Sequence, residues 1–179
     1  MTAMSSVQRR AVRHGARDRG FTLVELMVTI AIFAILLGMA APSISDAMLG
    51  SRLTALANRI VASATIARSE AIKRNTAVTM CVSTDGSTCA SGGWEQGWIV
   101  RAGSEIVHRE AAAPAGIRIS EASETPQSSL SFSPNGVGAS AAVLTVCRGT
   151  PAAGPMERVV HIYMTGRTRV EKTTAGTCS

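Results

Sequence analysis

The chain has 179 residues, 46% of them hydrophobic, and a formal net charge of +6. That length leaves room for one globular domain with a core of its own plus an additional segment. The charge is not a nucleic-acid footprint by itself: residues 1–20 carry Arg9, Arg10, Arg13, Arg17 and Arg19 against Asp18, while the remainder holds 13 basic and 11 acidic residues and is close to balanced.

An arginine-rich stretch directly before an apolar run keeps that end of a chain on the cytoplasmic side of a membrane. The run follows at once, in RGFTLVELMVTIAIFAILLGMAAP, Arg19 to Pro42. Between Leu26 and Ala41 only Thr29 is polar. Counted back to Phe21 the segment makes a helix of ~31 Å at 1.5 Å per residue, enough to span a bilayer. Glu25 sits inside it. A carboxylate there costs roughly 2.5 to 3.5 kcal/mol on insertion scales, so it requires a partner.

After Pro42 the spacing stays helical to about Asn75. Leu49, Leu53, Leu56 and Ile60, then Ala64, Ala67 and Ala71, form one apolar stripe narrowed by small residues, suited to packing on a sheet. Glu70 and Arg74 are an i, i+4 pair, Arg68, Lys73 and Arg74 suit the negative end of the helix, and Asn75 is a fitting terminator. One helix from Phe21 to Arg74, bent near Pro42, is expected, about 80 Å long.

From Thr76 the pattern changes to short apolar or alternating runs separated by Gly, Pro and Ser, the mark of antiparallel strands. The candidates are TAVTMCV, GWIVRA, EIVHRE, GIRIS, SLSF, AVLTVC, RVVHIYM and TRV, with a hairpin turn around Ala102 to Ser104 and loops at ASETPQSS and GTPAAGPM. The expected fold class is α+β, a helix laid across an antiparallel sheet. Cys81, Cys89, Cys147 and Cys178 all follow the apolar run, an even number that fits two disulfides in an oxidising compartment. Reduced core cysteines fit less well beside Ser, Thr, Gly and Asp. Metal ligation fits least, with no CxxC pair and with His14, His108 and His161 scattered.

No enzymatic constellation stands out: there is no G-x-S-x-G, no nucleophile beside His108 or His161, and no phosphate-binding G-x-x-x-x-G-K-[ST] loop. No cofactor is implied.

RGFTLVELM resembles the processing site of type IV pilins and type II secretion pseudopilins. The resemblance implies a leader, residues 1–20, cut between Gly20 and Phe21 by a prepilin peptidase, with methylation of the Phe21 amine. It implies a filament-core or membrane helix over 21–42, an amphipathic helix over 43–75 and an antiparallel β domain over 76–179. The new amine lies four residues before Glu25, and in a filament Glu25 would meet the Phe21 amine of a neighbouring subunit, which offsets the cost of holding either charge in an apolar core. Glu25 is thus an assembly residue. The implied localisation is the inner membrane, single-pass with the β domain periplasmic, and afterwards a pilus or pseudopilus, at or near its tip; the implied partners are the peptidase and other minor and major pilins.

CVSTDGSTC, GWIV, FSPNG, TVC and HIYMTGRTRV, in that order, resemble the GspH/FimT branch of the pseudopilins over nearly all of the mature chain. Within it Cys81 would pair with Cys89 and Cys147 with Cys178.

In TGRTRVEK, Thr165 to Lys172, Arg167 and Arg169 are two apart and point to one side of an extended segment, able to fork towards successive phosphates, with Lys172 extending the patch. The FimT members carry a Gly-Arg-x-Arg motif associated with DNA binding in natural transformation, and Gly166, Arg167, Thr168 and Arg169 match it. The implied roles are a backbone turn for Gly166 and phosphate contacts for the arginines. Trp94, Trp98, Phe132 and Tyr163 are too few for a stacking platform and read as core or turn packing. Binding would then be sequence-independent, with two to four phosphate contacts and a slope of roughly −2 to −4 in log K against log salt. The other role open to this branch is a structural minor pilin or type II secretion pseudopilin that primes or caps the filament without touching DNA.

Overall fold

The structure is a computed structural model that describes residues 20–122, 127–136, 140–150 and 154–175, apart from the side chains of 39–43. The chain divides into two units, Met1–Ser43 and Ile44–Ser179. A single α-helix, α1, runs Leu23–Arg74. The bend expected at Pro42 falls on side chains outside the described residues.

In the first unit Thr22 caps α1. Its hydroxyl accepts the Glu25 N–H at 3.2 Å and its carbonyl the Leu26 N–H at 3.1 Å. Thr22 and Glu25 stand in the T-x-x-E relation of a capping box, so Glu25 places its negative charge at the positive end of the helix. Helix therefore begins two residues after the Phe21 of the sequence-based expectation. Beyond the cap the apolar side chains from Leu23 to Leu37 point outward unpartnered, Leu37 being 67% exposed. Among the described residues no helix is long and apolar enough to cross a membrane, and the described side chains of this unit end at Gly38.

In the second unit the helix stripe behaves as its spacing predicts. Leu53, Leu56, Ala57, Ile60, Ala64, Ala67 and Ala71 are all buried, and each fully buried Leu or Ile contributes about 1.5 to 3 kcal/mol. The helix ends in a Schellman motif: the Thr76 N–H donates to the Ala71 carbonyl and the Asn75 N–H to Ile72, with Asn75 left-handed at φ 51°. Arg74 pairs with Glu70 at 2.8 Å and reaches Glu105 at 3.0 Å, tying this end to the β domain.

The strands are β1 (Val78–Val82), β2 (Trp98–Ala102), β3 (Glu105–Glu110), β4 (Ile117–Glu121), β5 (Ser129–Phe132), β6 (Ala142–Arg148), β7 (Glu157–Ile162) and β8 (Thr168–Thr173), with a 3-10 turn at Trp94–Gln96. Each corresponds to a segment read from alternation. The single sheet expected from sequence is corrected to two four-stranded antiparallel sheets, ordered β3-β2-β1-β5 and β4-β6-β7-β8. Local hairpins are visible in sequence, but the split depends on β1 pairing with β5 and β4 with β6 across intervening strands. Inner-face residues of both sheets, such as Met80, Val100, Phe132, Leu144, Val146 and Val160, close one core under the helix. Its polar anchor is Trp98, whose indole N–H donates to the buried Ser63 hydroxyl of α1 at 2.9 Å.

Cys81 and Cys89 form a disulfide with Cα atoms 5.5 Å apart. Cys147 is buried and disulfide-bonded, and Cys178 lies outside the described residues. Inside the loop that Cys81 and Cys89 close, Asp85 accepts from the Thr88 and Ser87 N–H groups, both at 2.8 Å, and from the hydroxyls of Thr88 and Ser83. Those bonds, the Thr88 N–H foremost, hold its carboxyl well below the usual carboxylate range. A folded pKa below the unfolded value of about 3.9 stabilises the loop above that pH, and the contribution is lost as the pH falls towards the folded value. Thermal melts are therefore expected to show the Asp85→Ala variant below the wild type at pH 7, with the gap narrowing as the pH drops below about 4. A gap independent of pH would remove the carboxylate from the account.

Candidate functional site: the β7–β8 hairpin

The sequence PMERVVHIYMTGRTRVEK folds as a hairpin at one edge of the second sheet, with β8 outermost. Its loop is built locally. The Gly166 N–H donates to the Tyr163 carbonyl at 2.8 Å, and the Tyr163 N–H donates to the Arg167 carbonyl at 2.9 Å. Met164 and Thr165 thus occupy a turn closed by a left-handed residue, the three-residue hairpin loop that calls for glycine at its third position. Gly166 fills it with φ 70°.

The space around Gly166 is as restrictive as its dihedral angle. It is buried, and a Cβ there would lie 2.7 Å from the Gly136 carbonyl oxygen and 2.9 Å from Cδ and Nε of Arg68. The Arg68 Nε in turn donates to that same Gly136 oxygen at 2.7 Å. The segments SPNG and TGRTR, far apart in sequence and at the ends of different sheets, therefore meet on one arginine of α1. Arg68 is a site residue that periodicity alone presents as a helix-end cation, with nothing to signal the turn it supports.

From this turn the strands run in strict register, His161 opposite Arg169 and Arg158 opposite Lys172. Since alternate residues face opposite ways, Arg167, Arg169 and Glu171 share one face of β8 with Tyr163, His161 and Val159 of β7. That is the outer face. On β7 the other set, Arg158, Val160 and Ile162, is buried against the core. Arg167 is exposed and the Arg169 side chain is 56% exposed, its Nη2 3.4 Å from a carboxylate oxygen of Glu171. The same oxygen lies 3.8 Å from Nε2 of His161.

Lys172 does not join this patch. It lies three positions from Arg169, on the opposite face, and lines a hollow beside the helix with Gly50, Thr54 and Arg158. Arg158 is itself a structural tie: its guanidinium donates to the Thr54 hydroxyl at 2.9 Å and to the carbonyls of Glu157 and Gly50. The structure thus brings together Gly166, Arg167 and Arg169, and separates Lys172 from them. At the other end of the chain Gly20, Phe21 and Glu25 cluster around the start of α1. No group of three or more His, Cys, Asp or Glu side chains able to hold a metal ion occurs among the described residues.

A long N-terminal helix whose apolar first half is unpartnered and whose second half packs on antiparallel sheets is the architecture of the type IV pilin and type II pseudopilin superfamily. The family described as "Type II transport protein GspH" matches residues 56–166, and the prokaryotic N-terminal methylation motif matches residues 15–41. With more than half of its length matched, the chain belongs to the GspH family of that superfamily. The match ends at Gly166, so the two arginines fall just outside it. Among curated proteins none matches the chain. The solved structure of the type IV minor pilin FimU of Pseudomonas aeruginosa is similar in fold, with a TM-score of 0.51 and 22% identity, over 68% of this chain and 89% of that one. The minor pseudopilin EpsH from the type 2 secretion system of Vibrio cholerae aligns with a TM-score of 0.49 and 11% identity, over 68% of this chain and 97% of that one.

Proposed function

We propose that this chain is a non-enzymatic minor type IV pilin that binds DNA through the outer face of its β7–β8 hairpin and aids DNA uptake in natural transformation. On this reading residues 1–20 are a leader removed by prepilin peptidase between Gly20 and Phe21, and Phe21 is methylated. The helix over 21–42 holds the chain in the inner membrane as a single pass, with the amphipathic helix 43–75 and the β domain 76–179 in the periplasm. Glu25 then meets the Phe21 amine of a neighbouring pilin as the filament assembles. One observation carries the DNA reading: Gly166, locked by its left-handed backbone and its contact with Gly136 and Arg68, presents Arg167 and Arg169 on the same exposed face of a fixed hairpin. Guanidiniums so placed offer paired donors to phosphate oxygens at little ordering cost.

With Lys172 on the other face, about two phosphate contacts remain, and the expected slope of log K against log salt is about −2. The test is fluorescence anisotropy with the processed chain, free of the arginine-rich leader, in a neutral detergent. Salt-sensitive binding lost in Arg167→Ala/Arg169→Ala supports the reading; unchanged affinity in the double variant removes it.

A second reading is favoured by the proximity of Glu171 to Arg169: the charge is answered within the chain, and the protein is a structural minor pilin or secretion pseudopilin that primes or caps a filament. Glu171→Gln separates the two. If Arg169 serves DNA, releasing an exposed pair of this kind raises affinity roughly two- to five-fold. If it serves only the hairpin, DNA binding is absent in both forms while filament assembly still requires the chain.

A further inference from the structure

The outer face of the hairpin carries an aromatic row beside the guanidinium row. Tyr163, expected from sequence to be packing, is 40% exposed. Its ring stacks on that of His161, centroids 6.1 Å apart and planes 17° from parallel. Register sets Tyr163 across from Arg167, through their backbone hydrogen bond, and His161 across from Arg169. Directly opposed residues in an antiparallel pair have Cβ atoms only about 4.5 to 5.5 Å apart, so each ring has an arginine as its cross-strand neighbour. Tyr163 and His161 also line a shallow hollow of about 240 Å³ with Ala122, Ala142 and Val143. That is below the roughly 300 to 1,000 Å³ of small-molecule sites, a space for the edge of one planar ring rather than for a whole ligand.

Duplex DNA presents phosphates to such a surface but keeps its base faces stacked on one another, which leaves the tyrosine ring without a partner. A single strand presents phosphates and π-faces together, and sites for it combine a basic track with exposed aromatic rings. Resting on the reading that Arg167 and Arg169 contact DNA, we infer that the ligand of this hairpin is single-stranded DNA, with backbone phosphates on the two arginines and a base stacked on Tyr163. His161 backs the tyrosine ring and holds it in the orientation that a base can meet. Glu171, lying by both Arg169 and His161, sets the far end of the track, where a phosphate is repelled. Recognition of this kind is indifferent to sequence, because every base offers a π-face.

The experiment compares a fluorescein-labelled oligothymidine with a duplex of equal length by anisotropy, using the processed chain in neutral detergent. The proteins are wild type, Tyr163→Ala, Tyr163→Phe and Arg167→Ala/Arg169→Ala. Expected are tighter binding of the single strand by wild type, a loss of roughly five-fold or more on the single strand in Tyr163→Ala, duplex binding changed less than about two-fold, and near-wild-type behaviour in Tyr163→Phe. If Tyr163→Ala leaves single-strand affinity unchanged, or weakens both ligands equally, while the double arginine variant abolishes binding, the single-strand inference is overturned and the backbone-contact reading stands. If the wild type binds neither ligand, the DNA reading itself fails and takes this inference with it.

Discussion

Replacing Gly166 with alanine is expected to lower the unfolding free energy by roughly 2 to 5 kcal/mol and to abolish the proposed DNA binding with it. Two costs combine. An L-residue held in the left-handed region costs about 1 to 2 kcal/mol. A methyl group 2.7 Å from the Gly136 carbonyl and 2.9 Å from Arg68 forces an overpacked site to shift, which typically costs about 1 to 3 kcal/mol more. Part of the strain would be relieved by moving Arg68 away, at the loss of its hydrogen bond to Gly136. Either way the tip of the hairpin is displaced, and the two arginines leave their common face. Urea melts read the first effect and anisotropy the second. Gly166→Asn adds a control: asparagine tolerates the left-handed backbone better, so a variant as damaged as alanine isolates the contact, whereas recovery isolates the dihedral angle. Wild-type stability in Gly166→Ala would contradict the account of the turn.

The other large effect belongs to the core. Trp98→Ala removes a fully buried side chain at the start of β2, an inner strand of the first sheet, and leaves the Ser63 hydroxyl buried without its donor. Large-to-small changes of this kind cost about 3 to 5 kcal/mol, and an unpaired buried hydroxyl about 1 to 3 kcal/mol. Against a total stability of about 5 to 15 kcal/mol, the domain should be largely unfolded or melt far below wild type. Trp98→Phe with Ser63→Ala, which removes both polar partners and keeps most of the apolar volume, should recover much of the loss in a denaturant melt. Failure to recover would mean that the indole contributes by shape alone.

Much of this architecture was legible from periodicity. The eight strands are short apolar or alternating runs between Gly, Pro and Ser, and the helix announces its end with cations followed by Asn75. The division into two sheets was not legible, because it is decided by partners such as Val78 and Phe132 that lie far apart in the chain. At the hairpin, GRTR could be read directly, since a spacing of two in an extended segment means one face. The same rule excludes Lys172, at an odd distance from both arginines. The neighbourhood of Tyr163 with Arg167 was not legible, because it depends on the length of the loop between them, which the positive φ of Gly166 settles. Arg68 was invisible for a similar reason: its role arises only where two turns from different sheets converge.

The connection from Gly136 through Arg68 to Gly166 also has a mechanical meaning. On the proposed reading, a subunit that holds DNA while its filament is drawn inward is loaded at the point of attachment, beside the turn of the hairpin. Strand β7 is paired over six positions with β6 on one side and six with β8 on the other. Tension applied to the turn along the strand axis is shared by both ladders in shear, so that many hydrogen bonds resist at once. Tension across the strands would instead peel β8, the free edge, one pair at a time. The Arg68 strut braces the turn against that second direction, and a hairpin lacking it would be expected to yield at lower force when pulled sideways than when pulled along its length.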